Sequence, residues 1–169
     1  MSLTMHAASA PVLVRMLGNM LNWLEMAREH AAAKGFDSTV YLGLRLAPDM
    51  LPLSRQIQIA SDAAKSCMAR LAGQPVPSWE DKEATLEELM ERIRRTIAYV
   101  ESVPPEALEG SETRQIEVPR RQGEPRRFSG ADFLRHFALA NFYFHVTTTY
   151  ALLRHAGVSL GKADYLGAV

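Results

Sequence analysis

Between Arg135 and Arg154 the chain carries no Asp, Glu, Lys or Arg. This run, HFALANFYFHVTTTYALL, is apolar on nearly every side, with Asn141, His145 and Thr147 to Thr149 as polar inserts. A helix that is hydrophobic all round is a buried one. The pattern therefore predicts a central helix near residues 130–156, with Ser129 as N-cap, Asp132 in the first turn and Gly157 as the left-handed stop. The uncharged run falls short of the ~20 apolar residues of a membrane span and has polar residues at its middle, so no span is expected.

Composition narrows the classes further. A length of 169 residues suits one domain, 1–169, with a continuous core. Lys plus Arg and Asp plus Glu are 19 each, so no global field draws in nucleic acid or an anionic membrane. The single cysteine, Cys67, excludes an internal disulfide framework and lies in a helical pattern beside Met68 and Leu71, where an inert core thiol is expected. The N-terminal stretch lacks a basic n-region and its apolar residues are interrupted by Arg15 and Asn19, so no secretory signal and a cytoplasmic location are the expectation.

Three further helices precede the central one. Leu13, Met16, Leu17, Met20, Leu24, Ala27 and Ala31 give a helix near 11–34, opened by Pro11 and ended by Gly35. A connection through Tyr41, Leu42 and Leu44 leads to a second helix near 50–72, whose stripe is Leu53, Ile57, Ala60, Ala64, Cys67 and Leu71. Gly73, Pro75 and Pro77 break the chain, and Trp79 is expected to cover a core edge. Thr85-Leu-Glu-Glu88 matches a capping box and starts a third helix near 85–103. Its inward stripe reads Leu86, Leu89, Ile93, Ile97 and Val100, with Glu87, Glu91, Arg92, Arg94 and Arg95 outside. Two short strands, Gln115 to Val118 and Arg126 to Phe128, then suggest a β-hairpin, and the tail after Gly157 is expected to lie back over the bundle. The fold class is all-α: a four-helix bundle with a short hairpin before the last helix. The first and fourth helices are expected to carry most of the core, with Leu17 and Phe144 inside it. The basic group Arg120, Arg121, Arg126 and Arg127 reads as a solvated edge defended against strand addition, in preference to a nucleic-acid surface.

This order of elements resembles the DinB-like (YfiT-like) superfamily, and the residues resemble its uncharacterised domain-of-unknown-function branch. The matching stretches are Leu46-Ala-Pro-Asp-Met-Leu-Pro52 with Arg55-Gln-Ile-Gln58, then His136 through His145 with Val-Thr-Thr, and Leu153-Arg-His-Ala-Gly157. The resemblance covers essentially the whole chain. It implies a divalent-metal site of three histidines, one on the second helix and an HxxxH pair on the fourth. Residues four apart share a helix face, so imidazoles from two helices can converge on one metal. Here the pair reads Asn141-Phe-Tyr-Phe-His145, and the second helix has no histidine, with Gln56 or Gln58 near the ligand position. Neutral amides are poor ligands for zinc or nickel, so the expectation is that the metal site is lost, with no metal and no cofactor.

His145 reads as a buried imidazole bonded to a second-helix glutamine, with ligand contact and metal binding as alternatives. Asn141 lies one turn earlier on the same face and completes that network in this reading; Thr148 extends the face or back-bonds to its own helix. His136 is expected to pair with Asp132 at the surface. The functional expectation is a small molecule held between helices two and four by His145, Asn141, Gln56, Gln58 and Thr148. The alternatives are a divalent-metal-dependent thiol transferase-like enzyme and a homodimeric interaction module without catalysis. The partners expected are a small-molecule ligand and a second copy of the chain, with neither nucleic acid nor membrane.

Overall fold

The structure, a computed structural model, describes residues 3–120 and 122–167. Arg121, one of the hairpin arginines named above, lies outside the described residues. The first helix, α1, is Ala10–Lys34; Pro11 sits in its first turn and Gly35 closes it at φ 75°. Only glycine takes that left-handed conformation without strain. Next comes a 3-10 turn, Ser38–Gly43, which buries Tyr41. The second helix, α2, is Leu53–Leu71 and starts three residues later than the sequence suggests. Pro52 serves as its N-cap, and the Leu53 N–H is taken by the Leu44 carbonyl at 2.9 Å, which holds Met50 to Pro52 outside the helix.

The third helix, α3, is Leu86–Ser102, and the Thr85 hydroxyl accepts from the Glu88 N–H at 3.2 Å. The reciprocal half of the box is shifted by one residue: Glu88 takes the N–H of Ala84 at 2.6 Å. Strands β1 (Gln115–Val118) and β2 (Arg126–Ser129) pair antiparallel with Ile116 opposite Phe128. The chain then enters the long last helix, α4, made of three continuous segments. These are an α-helical turn at Gly130–Asp132, a π-helical turn at Phe133–Ala138 and an α-helix at Leu139–His155. Ser129 caps it, accepting from the Asp132 N–H at 3.2 Å. A Cβ at Gly130 would stand 1.8 Å from the Ser111 carbonyl oxygen, so only glycine lets the turn ahead of β1 and the helix start meet there.

The core fills the space between these helices. Leu13, Leu17, Met20 and Leu24 of α1, Leu89 and Ile93 of α3, and Phe142, Val146 and Leu153 of α4 are buried. The load is not confined to the first and fourth helices. Every member of the predicted α2 stripe is buried as well, and α2 packs against both α3 and α4, its Ala60 and Ala64 permitting the close approach. Phe144 departs from expectation, with 56% of its surface exposed. It falls two residues from both Phe142 and Val146, which puts it on the far side of the helix from them. The tail forms a short helix, α5 (Lys162–Leu166), laid against α1: Trp23 Nε1 donates to the Asp164 carbonyl at 2.9 Å and stacks on Tyr165. Among the described residues no helix is long and apolar enough to cross a membrane.

Candidate functional site

His145 projects from α4 toward α2. Its Nδ1 lies 2.6 Å from Gln56 Oε1, and Gln56 Nε2 lies 2.9 Å from the Leu51 carbonyl oxygen. A carbonyl can only accept, so the Leu51 bond fixes which end of the amide is NH2 and turns Oε1 to the imidazole. Oε1 also can only accept. The proton between the two side chains therefore belongs to His145 Nδ1, and the neutral ring keeps its lone pair on Nε2. Burial pushes the His145 pKa below its ordinary value, which favours this neutral form.

Of the other predicted site residues, none joins this bond. Thr148 donates to the Phe144 carbonyl at 2.7 Å, the back-bond to its own helix, and Thr149 does the same to His145 at 2.9 Å. Gln58 is turned elsewhere: it accepts from Arg55 at 2.7 Å and donates to Glu83 at 2.7 Å. Asn141 does not complete the histidine network either. Its side chain lines a cleft of about 460 Å3 between α2 and α4, walled by Ala63, Lys65 and Arg70 on one side and Phe133 and Phe137 on the other. The strap from Val76 to Trp79 closes a third side. The π-helical turn supplies both phenylalanines; the extra residue in such a turn rotates the preceding face relative to a regular helix.

Beside the cleft lies an ionic network that the sequence pattern does not suggest. Arg92, assigned to the outer face of α3, is 4% exposed. Its guanidinium reaches Asp62 at 3.0 Å, Asp81 at 2.8 Å and Glu83 at 2.9 Å, and donates to the Glu80 carbonyl at 3.0 Å. Lys65, 3% exposed, pairs with Asp62 at 2.8 Å, and Arg55 pairs with Asp81. Three cations thus face three carboxylates. Burial raises the Glu83 carboxyl, but hydrogen bonds from Arg92 and Gln58 outweigh it and hold the group below its ordinary value. Asp81 is held low in the same way, burial being outweighed by Arg55 and Arg92. The network ties the strap down, and Trp79 is gripped between Lys65 at 4.3 Å and Arg95 at 4.2 Å. A signal existed for the burial of Arg92, though not for its partners: Leu89, Arg92, Thr96 and Val100 recur at helical spacing, so Arg92 and Thr96 share the inner face of α3.

Cys67 takes no part. Burial pushes its thiol up to about 12 against the opposing pull of Arg70, so it is a protonated core group. His136 stands 3.8 Å from Asp132 at the surface, as its spacing suggests. Among the described residues no group of three or more His, Cys, Asp or Glu side chains is placed to hold a metal.

The comparisons with known proteins place this geometry in a lineage. Residues 5–166 match DUF1993, a domain of unknown function. The chain belongs to the DUF1993 family. Its fold is DinB-like: the crystal structure of a DinB family member protein from Shewanella denitrificans superposes with a TM-score of 0.90 at 40% identity, covering 97% of this chain and 92% of that one. No curated protein matches the chain. Within DUF1993, then, the resemblance drawn from the Leu46 to Gln58 and His136 to Gly157 stretches holds for fold and family.

Proposed function

We propose that this DUF1993 protein is a small-molecule-binding member of the DinB-like fold that has lost the three-histidine metal site. The observation that carries the reading is the cleft between α2 and α4, which Asn141 lines. Between-helix clefts with a few polar groups on an apolar wall are the usual ligand sites of helical bundles.

The donor set supports the loss of the metal. His145 supplies one imidazole, whose Nδ1 is committed to Gln56. Gln56 is committed at both ends, and Gln58 is held by Arg55 and Glu83. A catalytic zinc needs three protein ligands, and these residues do not fit that requirement. In this reading Asn141 touches the ligand, while His145 and Gln56 brace α4 against α2 one helical turn away. Thr148 and Gln58 are structural.

The test is a fragment screen read by amide chemical shifts. Binding fragments should perturb Asn141, Lys65 and Phe137, and Ala63→Phe, which fills the cleft, should abolish the response. Fragments that bind elsewhere and ignore Ala63→Phe would overturn the assignment.

A second reading concerns assembly. Phe144 and Leu51 are large apolar side chains exposed beside the His145–Gln56 bond, and they support a homodimer formed through this face. Sedimentation of Phe144→Ser tests it: a dimer that becomes monomeric supports the interface, and an unchanged mass rejects it.

A further inference from the structure

Two guanidiniums near the cleft, the buried Arg92 and the half-buried Arg70, are treated in opposite ways. Arg92 is surrounded by Asp62, Asp81 and Glu83, and these carboxylates outweigh its burial. Arg70 lines the cleft itself and has no carboxylate partner among the described residues; its one hydrogen bond there is a long one, Nε to the Glu117 carbonyl at 3.4 Å. Burial consequently pushes the Arg70 pKa below its ordinary value. Removing a guanidinium from water without a counter-charge is unfavourable unless an anion completes the site. No acid in the cleft is left to do this, because Asp62 is shared between Lys65 and Arg92.

The surroundings extend the same sign of charge. Val118 and Phe137 form a wall common to this cleft and to a neighbouring one of about 470 Å3, which is lined by Arg120 and Arg126. Neither arginine has a carboxylate partner among the described residues, and Arg126 lies over the Phe137 ring at 5.6 Å. Arg127, by contrast, is paired with Glu117 at 2.8 Å. The wall of Phe133 and Phe137 and the strap residue Trp79 give the cleft an aromatic lining. An anion on an apolar body satisfies both halves of this site: the head at Arg70, where a planar fork of donors matches carboxylate or phosphate oxygens, and the body on the rings.

We propose that the cleft binds a small amphiphilic anion, a carboxylate or phosphate monoester on an aromatic body, with Arg70 as its principal charged contact and Arg126 at the outer rim. The proposal rests on the reading of the cleft as the ligand site. It is tested with four matched probes, phenylacetate, phenyl phosphate, phenylacetamide and phenethylamine, titrated into labelled full-length protein. Saturable shifts at Phe137 and Asn141 are expected with at least one anion, weakened about tenfold by the neutral amide, by Arg70→Gln and by raised salt. Arg126→Gln, on the exposed hairpin, should weaken binding by a smaller factor and guards against a folding defect in the first variant. Which anion binds tighter separates a carboxylate site from a phosphate site. If the amide or the amine binds the cleft as tightly as the anions, or if neither arginine variant weakens them, the anion class is wrong and the cleft stands as a ligand site. If none of the four perturbs the cleft, both readings fall.

Discussion

His145 Nδ1 and Gln56 Oε1 meet at 2.6 Å across 89 residues of sequence, joining the last helix to the second. The bond sets the ring as the Nδ1–H tautomer. We predict that imidazole nitrogen shifts show this form in the wild type and revert to the commoner Nε2–H form in Gln56→Ala. The same variant strands the Nδ1–H and the Leu51 carbonyl, and should cost about 1–3 kcal/mol in denaturant unfolding. An Nε2–H tautomer in the wild type would contradict the geometry.

Stability should fall with acid in two steps. The unfolded chain protonates His145 near 6.5, whereas the folded chain does so at a lower pH. Its contribution is therefore complete above about 6.5 and is lost as pH falls through the window between the two values. Glu83 and Asp81 behave likewise further down: their contribution is complete above their ordinary values of 4.5 and 3.8 and is lost as pH falls through the lowered folded values. Urea midpoints against pH should show both steps, with His145→Gln removing the first and Arg92→Ala shrinking the second, because Arg55 still holds Asp81 and Gln58 still holds Glu83.

Removing Arg92 leaves Asp62 to Lys65, Asp81 to Arg55 and Glu83 to Gln58 alone, so three carboxylates lose their shared buried cation. We expect Arg92→Ala to cost about 3 kcal/mol, the lower end for a buried ion pair because Asp62 retains 42% exposure. Arg94→Ala, on a half-exposed side chain paired with Glu87 and Glu91, should cost far less, because water screens both pairs. Equal losses in the two variants would refute the buried role of Arg92.

Leu17→Ala should cost about 2–5 kcal/mol, because the side chain is fully buried on α1. Phe144→Ala should cost well under that, because its ring is mostly in solvent. Chemical denaturation of the two variants measures the contrast directly.

The helices, the hairpin and the docked tail were legible because each rests on local signals: a cap at Ser129 or Thr85, a glycine stop at Gly35, and stripes such as Leu13 to Ala31. Phase within the last helix was not. Where Phe142, Tyr143 and Phe144 are all apolar, no polar side marks solvent, and the π-helical turn before them adds an offset that periodicity does not reveal. The His145–Gln56 bond was foreseeable as histidine-to-glutamine but not its register, since Gln56 and Gln58 are equally amide-bearing. The ionic network escaped because its partners come from α2, the strap and α3, and long-range charge pairs leave no periodic trace. Arg92 was readable only by weighing its position beside Ile93 above its charge.

We propose that the DinB-like scaffold here serves a ligand cleft in place of a histidine-bound metal. Elemental analysis of protein purified without a histidine tag, after growth with zinc, nickel, manganese and iron supplied, tests it most directly. The account predicts metal far below one ion per chain, unchanged in His145→Ala. Stoichiometric metal in the wild type that disappears in His145→Ala would contradict it.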